Sequence, residues 1–121
     1  MQKPNTVQIE EKGPLAVLAV NGDITSQSEV MLRSSYEQLD PEKIRGILLK
    51  FEKGAYFNSE GLKVLILIFA EARKRDQRIA VSGLSPHFKK VFGMVGITKF
   101  AKIYDDENQA EQDLAAAFEE E

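Results

Sequence analysis

Short apolar runs alternate along this chain with longer stretches of helical period, and that alternation restricts its fold more than any other feature. Residues 15–20 are apolar at every position, as in a strand buried on both faces. Residues 44–51 and 78–82 read as two more strands, and 102–104 as a short last one. Residues 6–11 alternate Val7 and Ile9 with polar neighbours, the pattern of a half-exposed edge strand. The turn Lys12-Gly13-Pro14 joins them to the next strand as an antiparallel hairpin.

Helical segments fill the intervals. In the first, reaching to about Leu39, Thr25 and Ser26 are candidate caps, and Leu32, Tyr36 and Leu39 share one face. Asp40-Pro41 stops it. Residues 62–75 are apolar enough to suggest a strand. Their length, with no turn signal before Arg75-Asp76-Gln77, predicts a helix. Ser85 as N-cap and Pro86 at the first helical position open a third helix. It carries Phe88, Val91 and Phe92 to about Val95, and Gly96 ends it. Asp105 and Asp106 precede a last helix with Ala110, Leu114 and Phe118 on one face. Its acidic end, residues 119–121, is expected to fray.

This order predicts an α/β fold: a mixed, mostly parallel sheet of four to five strands with an N-terminal antiparallel hairpin, four to five helices and right-handed crossovers. One domain over residues 1–121, with a core at 6–118, is expected. Asn21-Gly22-Asp23, Asn58-Ser59-Glu60-Gly61 and Gly83-Leu84-Ser85 all follow the carboxyl ends of parallel strands. They should gather on one rim, where open α/β sheets place their sites.

Several function classes are disfavoured by composition. A net charge of -3 from 16 basic and 19 acidic side chains gives no whole-molecule attraction to nucleic acid or acidic lipid. The chain has no cysteine and one histidine, so disulfide scaffolds, thiolate metal sites and histidine-rich metal sites are excluded. The longest unbroken apolar run, residues 64–70, falls far short of the roughly 18–20 residues a membrane span needs. No membrane insertion, no signal-type segment at the N-terminus and a cytoplasmic location are the expectations.

The stretch Phe57-Asn58-Ser59-Glu60-Gly61-Leu62 separates the strand ending at Phe51 from the long apolar helix. Ser59 there can cap the helix through its hydroxyl or stand exposed for modification, and a helix N-terminus tolerates a phosphate. A catalytic serine would need a base. His87 is the single imidazole and reads as a solvated first-turn residue, and no G-x-S-x-G elbow is present. Neither G-x-x-x-x-G-K-[ST] nor G-x-G-x-x-G occurs. Asp23 and Glu60 could pair on the rim, though a turn residue and a first-turn acid explain them more simply. Lys89-Lys90 and Arg73-Lys74-Arg75 read as solvated helix ends. On the long helix, Leu62, Leu65, Ile66, Phe69 and Arg73 form one stripe. Val64, Leu67 and Ile68 point largely the other way, and an exposed apolar patch there is expected to meet a partner.

Three motifs in order carry a family resemblance: Gly22-Asp23-Ile24 after a strand, Asn58-Ser59-Glu60-Gly61-Leu62 before an apolar helix, and Gly83-Leu84-Ser85 followed by Gly96-Ile97 and Lys102-Ile103-Tyr104. From Val7 to Phe118 the chain resembles the STAS domain of anti-sigma-factor antagonists and sulfate-transporter tails. The resemblance implies a non-enzymatic regulatory protein in transcriptional signalling. It binds a serine kinase that also serves as the anti-sigma factor, with a serine phosphatase as a further partner, and exists as a monomer or weak dimer. It implies Ser59 as phosphoacceptor, Asp23, Asn58, Glu60 and Gly61 as the rim around it, and Val64, Leu67 and Ile68 as partner contacts. No catalytic residue, metal or cofactor follows from it. The family's Asp-Ser-Ser-Gly stands here as Asn58-Ser59-Glu60-Gly61, which removes one charge beside the serine and adds another. These departures motivate a second reading, a scaffold subunit of a stressosome-like complex or a lipid-transport ATPase that is never phosphorylated. An enzyme is the third class, and the sequence shows no group set for it.

Overall fold

Thr6–Lys12 (β1) and Leu15–Asn21 (β2) form the expected antiparallel hairpin, with Ile9 opposite Leu18. Gly46–Phe51 (β3), Arg78–Ser82 (β4) and Ala101–Tyr104 (β5) follow in parallel, giving a five-stranded sheet in the order β1-β2-β3-β4-β5. The helices are Glu29–Glu37 (α1), Ser59–Lys74 (α2), Pro86–Met94 (α3) and Glu107–Glu119 (α4). This computed structural model describes residues 5–119, and of Glu119 only the backbone. The rest of the acidic end expected to fray, residues 120 and 121, lies outside the described residues.

Strand alternation sorts the apolar residues into two layers. Leu18, Val20, Ile47, Leu49, Phe51, Ile79 and Val81 point to one face, where α1, α2 and α3 cover them with Leu32, Leu65, Phe69 and Phe92. Leu15, Val17, Leu48 and Ala80 point to the other, under Ala110 and Leu114 of α4. The central strands are thus buried on both sides, which is why they read as unbroken apolar runs. Gly46 makes room on this second face: a Cβ there would lie 2.5 Å from the ring of Phe118.

Three element starts differ from expectation by two or more residues. The first helix does not begin at Thr25 or Ser26. Thr25 caps a 3-10 turn, Ser26–Ser28, accepting the Gln27 N–H while the Ser28 hydroxyl accepts the Thr25 N–H, and α1 starts after it. This reciprocal capping satisfies donors that an α-helix would leave open. Strand β3 starts at Gly46, because the Ile44 N–H is bonded to Asp40 O at 2.8 Å in the preceding turn. Helix α2 starts at Ser59, three residues before its apolar run.

Tyr36 crosses the α1–β layer to donate its hydroxyl to Gln77 Oε1 at 2.7 Å, and Gln77 Nε2 in turn donates to Ile44 O at 3.0 Å. Burial pushes the Tyr36 phenol above its ordinary value of 10.0. Above that pH the unfolded chain loses the proton and the folded chain keeps it. Stability is therefore expected to fall as pH rises through 10 and beyond, toward the higher folded value. Denaturant titrations from pH 8 to 11 should show the fall, and Tyr36→Phe should make it shallower.

Candidate functional site

The carboxyl ends of β2, β3 and β4 do meet on one rim, and backbone contacts hold them. Ile24 N–H donates to Tyr56 O at 2.8 Å and Asn58 N–H to Ile24 O at 3.1 Å, so the segment leaving β2 pairs with the segment entering α2. Glu52 Oε2 accepts the Gly22 N–H at 2.7 Å, and Asp23 Oδ1 accepts the Tyr56 N–H at 3.0 Å. Phe57 anchors the rim from beneath. Its ring lies 5.0 Å from Phe51, 5.0 Å from Phe88 and 5.3 Å from Phe92, which fixes α3 beside the start of α2.

Two glycines allow this convergence. A Cβ on Gly61 would stand 2.1 Å from Ile24 O, so the first turn of α2 rests directly on the backbone after β2. Gly83 has φ +93 and a Cβ on it would stand 2.0 Å from Phe51 O. Only a residue without a Cβ fits either place.

The cap of α2 is Asn58, not Ser59. Asn58 has extended backbone (φ -96, ψ 177), and its Oδ1 accepts the Gly61 N–H at 2.8 Å. Ser59 is the first helical residue, and its side chain is exposed. With its backbone already helical, its short side chain cannot fold back over the first turn as an N-cap does. Its hydroxyl has no hydrogen-bond partner among the described residues. Glu60 and Lys63 are exposed on the same first turns. Asn58→Ala is expected to destabilise the protein by about 1 kcal/mol, while Asn58→Asp keeps an accepting oxygen and should leave stability within about 0.5 kcal/mol; urea denaturation measures both.

The apolar surface differs from the one expected. Val64 and Ile68 are 6% and 7% exposed and belong to the core, whereas Leu67 is 50% exposed. The two residues are covered because α1 and the turn before it pack on that side of α2, a contact that helical period does not reveal. Other exposed apolar residues were not singled out by sequence reasoning: Val30 on α1, Tyr56 on the rim, and Met94 and Val95 closing α3. Val30 could have been found, since it falls off the Leu32-Tyr36 face; Tyr56 carried no periodic signal. The Tyr56 ring rests 5.8 Å from Phe88.

The remaining candidates have ordinary settings. Asp23 serves the Tyr56 N–H, and among the described residues no group of three acidic or imidazole side chains could hold a metal ion. His87 is exposed with its ring 4.8 Å from Phe88. Of the basic clusters, Lys89 pairs with Asp105 and Arg75 with Glu71.

A family model for the STAS domain matches residues 6–110. The chain belongs to the STAS domain family. Solved structures share the fold of this STAS domain at low identity. An anti-sigma factor antagonist from Mycobacterium paratuberculosis superposes with a TM-score of 0.74 at 18% identity, over 92% of this chain and 94% of that one. The anti-sigma factor antagonist SpoIIAA in its unphosphorylated form gives 0.69 at 17%, over 88% and 95%. The Bacillus cell fate determinant SpoIIAA in its phosphorylated form gives 0.58 at 17%, over 88% and 98%. The mixed sheet with its antiparallel first strand is the architecture this STAS domain shares with them. Among the described residues no helix is long and apolar enough to cross a membrane.

Proposed function

We propose that this STAS domain is a cytoplasmic, non-enzymatic antagonist of an anti-sigma factor, acting as one domain over residues 6–118 and switched by phosphorylation of Ser59 by the serine kinase it binds. The observation that carries the reading is the division of labour at the start of α2. Asn58 does the capping, which leaves the Ser59 hydroxyl exposed and free of structural duty. Asp23, Glu60 and Gly61 surround it as rim, and Leu67, exposed on α2, is the contact residue of the original three that a partner can reach. A phosphate at Ser59 gains about 0.3–1 kcal/mol from the helix N-terminus. That is small against a domain stability of roughly 5–15 kcal/mol. Enclosing the same charge unpaired in an interface costs several kcal/mol. Phosphorylation on this reading breaks a complex and leaves the fold intact, in keeping with neighbours of this fold solved in both forms. The test is incubation with a cognate serine kinase and ATP, followed by mapping of phosphate by mass spectrometry. A kinase that binds the protein and hydrolyses ATP without labelling Ser59 overturns the switch.

A second reading, a scaffold subunit that is never phosphorylated, is favoured by the Glu60 carboxylate exposed beside Ser59, which resembles a phosphate already in place. Affinity purification that recovers transporter or scaffold subunits and no kinase supports it. Loss of activity in a folded Ser59→Ala variant counts against it.

A further inference from the structure

A concavity of about 840 Å³ lies away from Ser59, along the β4–β5 edge of the sheet and α4. Among the described residues α4 is the single helix packed on this face of the sheet. Ala110 and Leu114 cover Leu48 and Ala80, and the outer strands are left with a groove beside them. Its floor is apolar, made by Ala80, Leu114 and Ala117 with the ring of Tyr104. Its mouth is cationic. Arg73, Arg78, Lys99 and Lys102 line it and are exposed. Among the described residues Arg73, Arg78 and Lys99 have no carboxylate within ion-pair distance. Lys102 reaches Asp113 at 4.0 Å. Among the described residues Asp113 is the one carboxylate on the wall, and its oxygens already accept from Tyr104 at 2.9 Å and Gln109 at 2.7 Å.

Among the described residues, four cations against one engaged carboxylate stand out in a chain of net charge -3. A concavity of this size matches small-molecule sites, which run to roughly 300–1,000 Å³ and combine an apolar wall with a few polar groups. Strand β5 has four residues, a short edge on which to add a peptide strand. We propose that the groove between α4 and the β4–β5 edge binds a small amphiphilic anion, its apolar body on Ala80, Leu114 and Ala117 and its charged head at Arg78, Lys99 and Lys102. The guanidinium of Arg73, 5.7 Å above the Phe100 ring, also lines the groove.

The test is a titration of the isotope-labelled protein with octyl phosphate below its micelle concentration, followed by amide chemical shifts. Saturable shifts centred on Ala80, Lys102, Asp113 and Ala117 are expected. Inorganic phosphate, which lacks the body, and octyl glucoside, which lacks the charge, should each bind at least tenfold more weakly. Arg78→Glu combined with Lys99→Glu changes two exposed residues and should weaken octyl phosphate at least tenfold. Ala117→Trp fills the groove without adding charge and should abolish the shifts, with circular dichroism confirming the fold of both variants. Equal binding of inorganic phosphate, equal binding of octyl glucoside, shifts centred elsewhere, or affinity unchanged in both folded variants would each overturn the proposal.

Discussion

Ser59→Ala is expected to abolish phosphate incorporation by the partner kinase while leaving stability to denaturant within about 0.5 kcal/mol of the parent. The two halves of this result come from one arrangement. The Ser59 hydroxyl is the acceptor on the proposed reading, so its removal leaves nothing to label. It is also exposed and outside the capping bond that Asn58 makes to Gly61, so its removal takes no structural contact away. Ser59→Asp adds a permanent charge at the same point. A helix N-terminus accepts it for a gain of about 0.3–1 kcal/mol, so the fold should be unchanged or slightly firmer, while affinity for the kinase falls by about tenfold or more, as an uncompensated charge entering an interface requires. Titration calorimetry reads the affinity and urea denaturation the stability. Persistence of full labelling in Ser59→Ala, with phosphate mapped to another residue, removes Ser59 from the mechanism.

Gly61→Ala should have the largest effect on stability of any glycine-to-alanine change within a helix of this protein, and Gly93→Ala should have the opposite sign. Both glycines are helical, so the change to alanine gains up to about 1 kcal/mol of helix propensity at each. At Gly93 nothing lies within 4 Å of the new Cβ, and the gain should appear in full. At Gly61 the Cβ would be 2.1 Å from Ile24 O and 2.5 Å from Ile24 C. These are backbone atoms, tied on both sides by the Ile24–Tyr56 and Asn58–Ile24 hydrogen bonds, so they cannot swing aside as a side chain could. The first turn of α2 must lift from the backbone after β2, and a net loss of about 2–4 kcal/mol is expected. Thermal unfolding should show a fall in Tm for Gly61→Ala and a rise for Gly93→Ala. A fall of less than 1 °C at Gly61 would mean that the rim is looser than these contacts require. Because Ser59 is two residues away, the folded fraction of Gly61→Ala should also be a poorer kinase substrate.

The elements themselves were legible in the residues because local physics specifies them. Residues 15–20 had to be a doubly buried strand, since no polar side chain interrupts them, and Arg78–Ser82 has the bounds that periodicity predicts. Ser85 caps α3 with Pro86 at its first position, as expected from chemistry confined to one turn. The rim was legible too, because the carboxyl ends of parallel strands must lie on one side of a sheet.

What failed depended on packing against a neighbour distant in sequence. Val64 and Ile68 look the same as Leu67 along the chain, and period assigns all three to one side. The packing of α1 and its preceding 3-10 turn decides that two are core and one is surface. Asn58 and Ser59 are both competent N-caps by residue type. The choice fell to Asn58 because its backbone N–H is held by Ile24 O, which keeps it extended and places its side-chain oxygen over Gly61. The groove under β4–β5 had no counterpart in the sequence at all, since its cations come from α2, β4, β5 and the turn between α3 and β5. Sequence alone thus determined the elements, their order and the edge on which the serine sits, because hydrophobic period and capping act within a few residues. Tertiary structure decided which of those residues are covered and which face solvent, because coverage is a property of two surfaces and a local pattern describes only one of them.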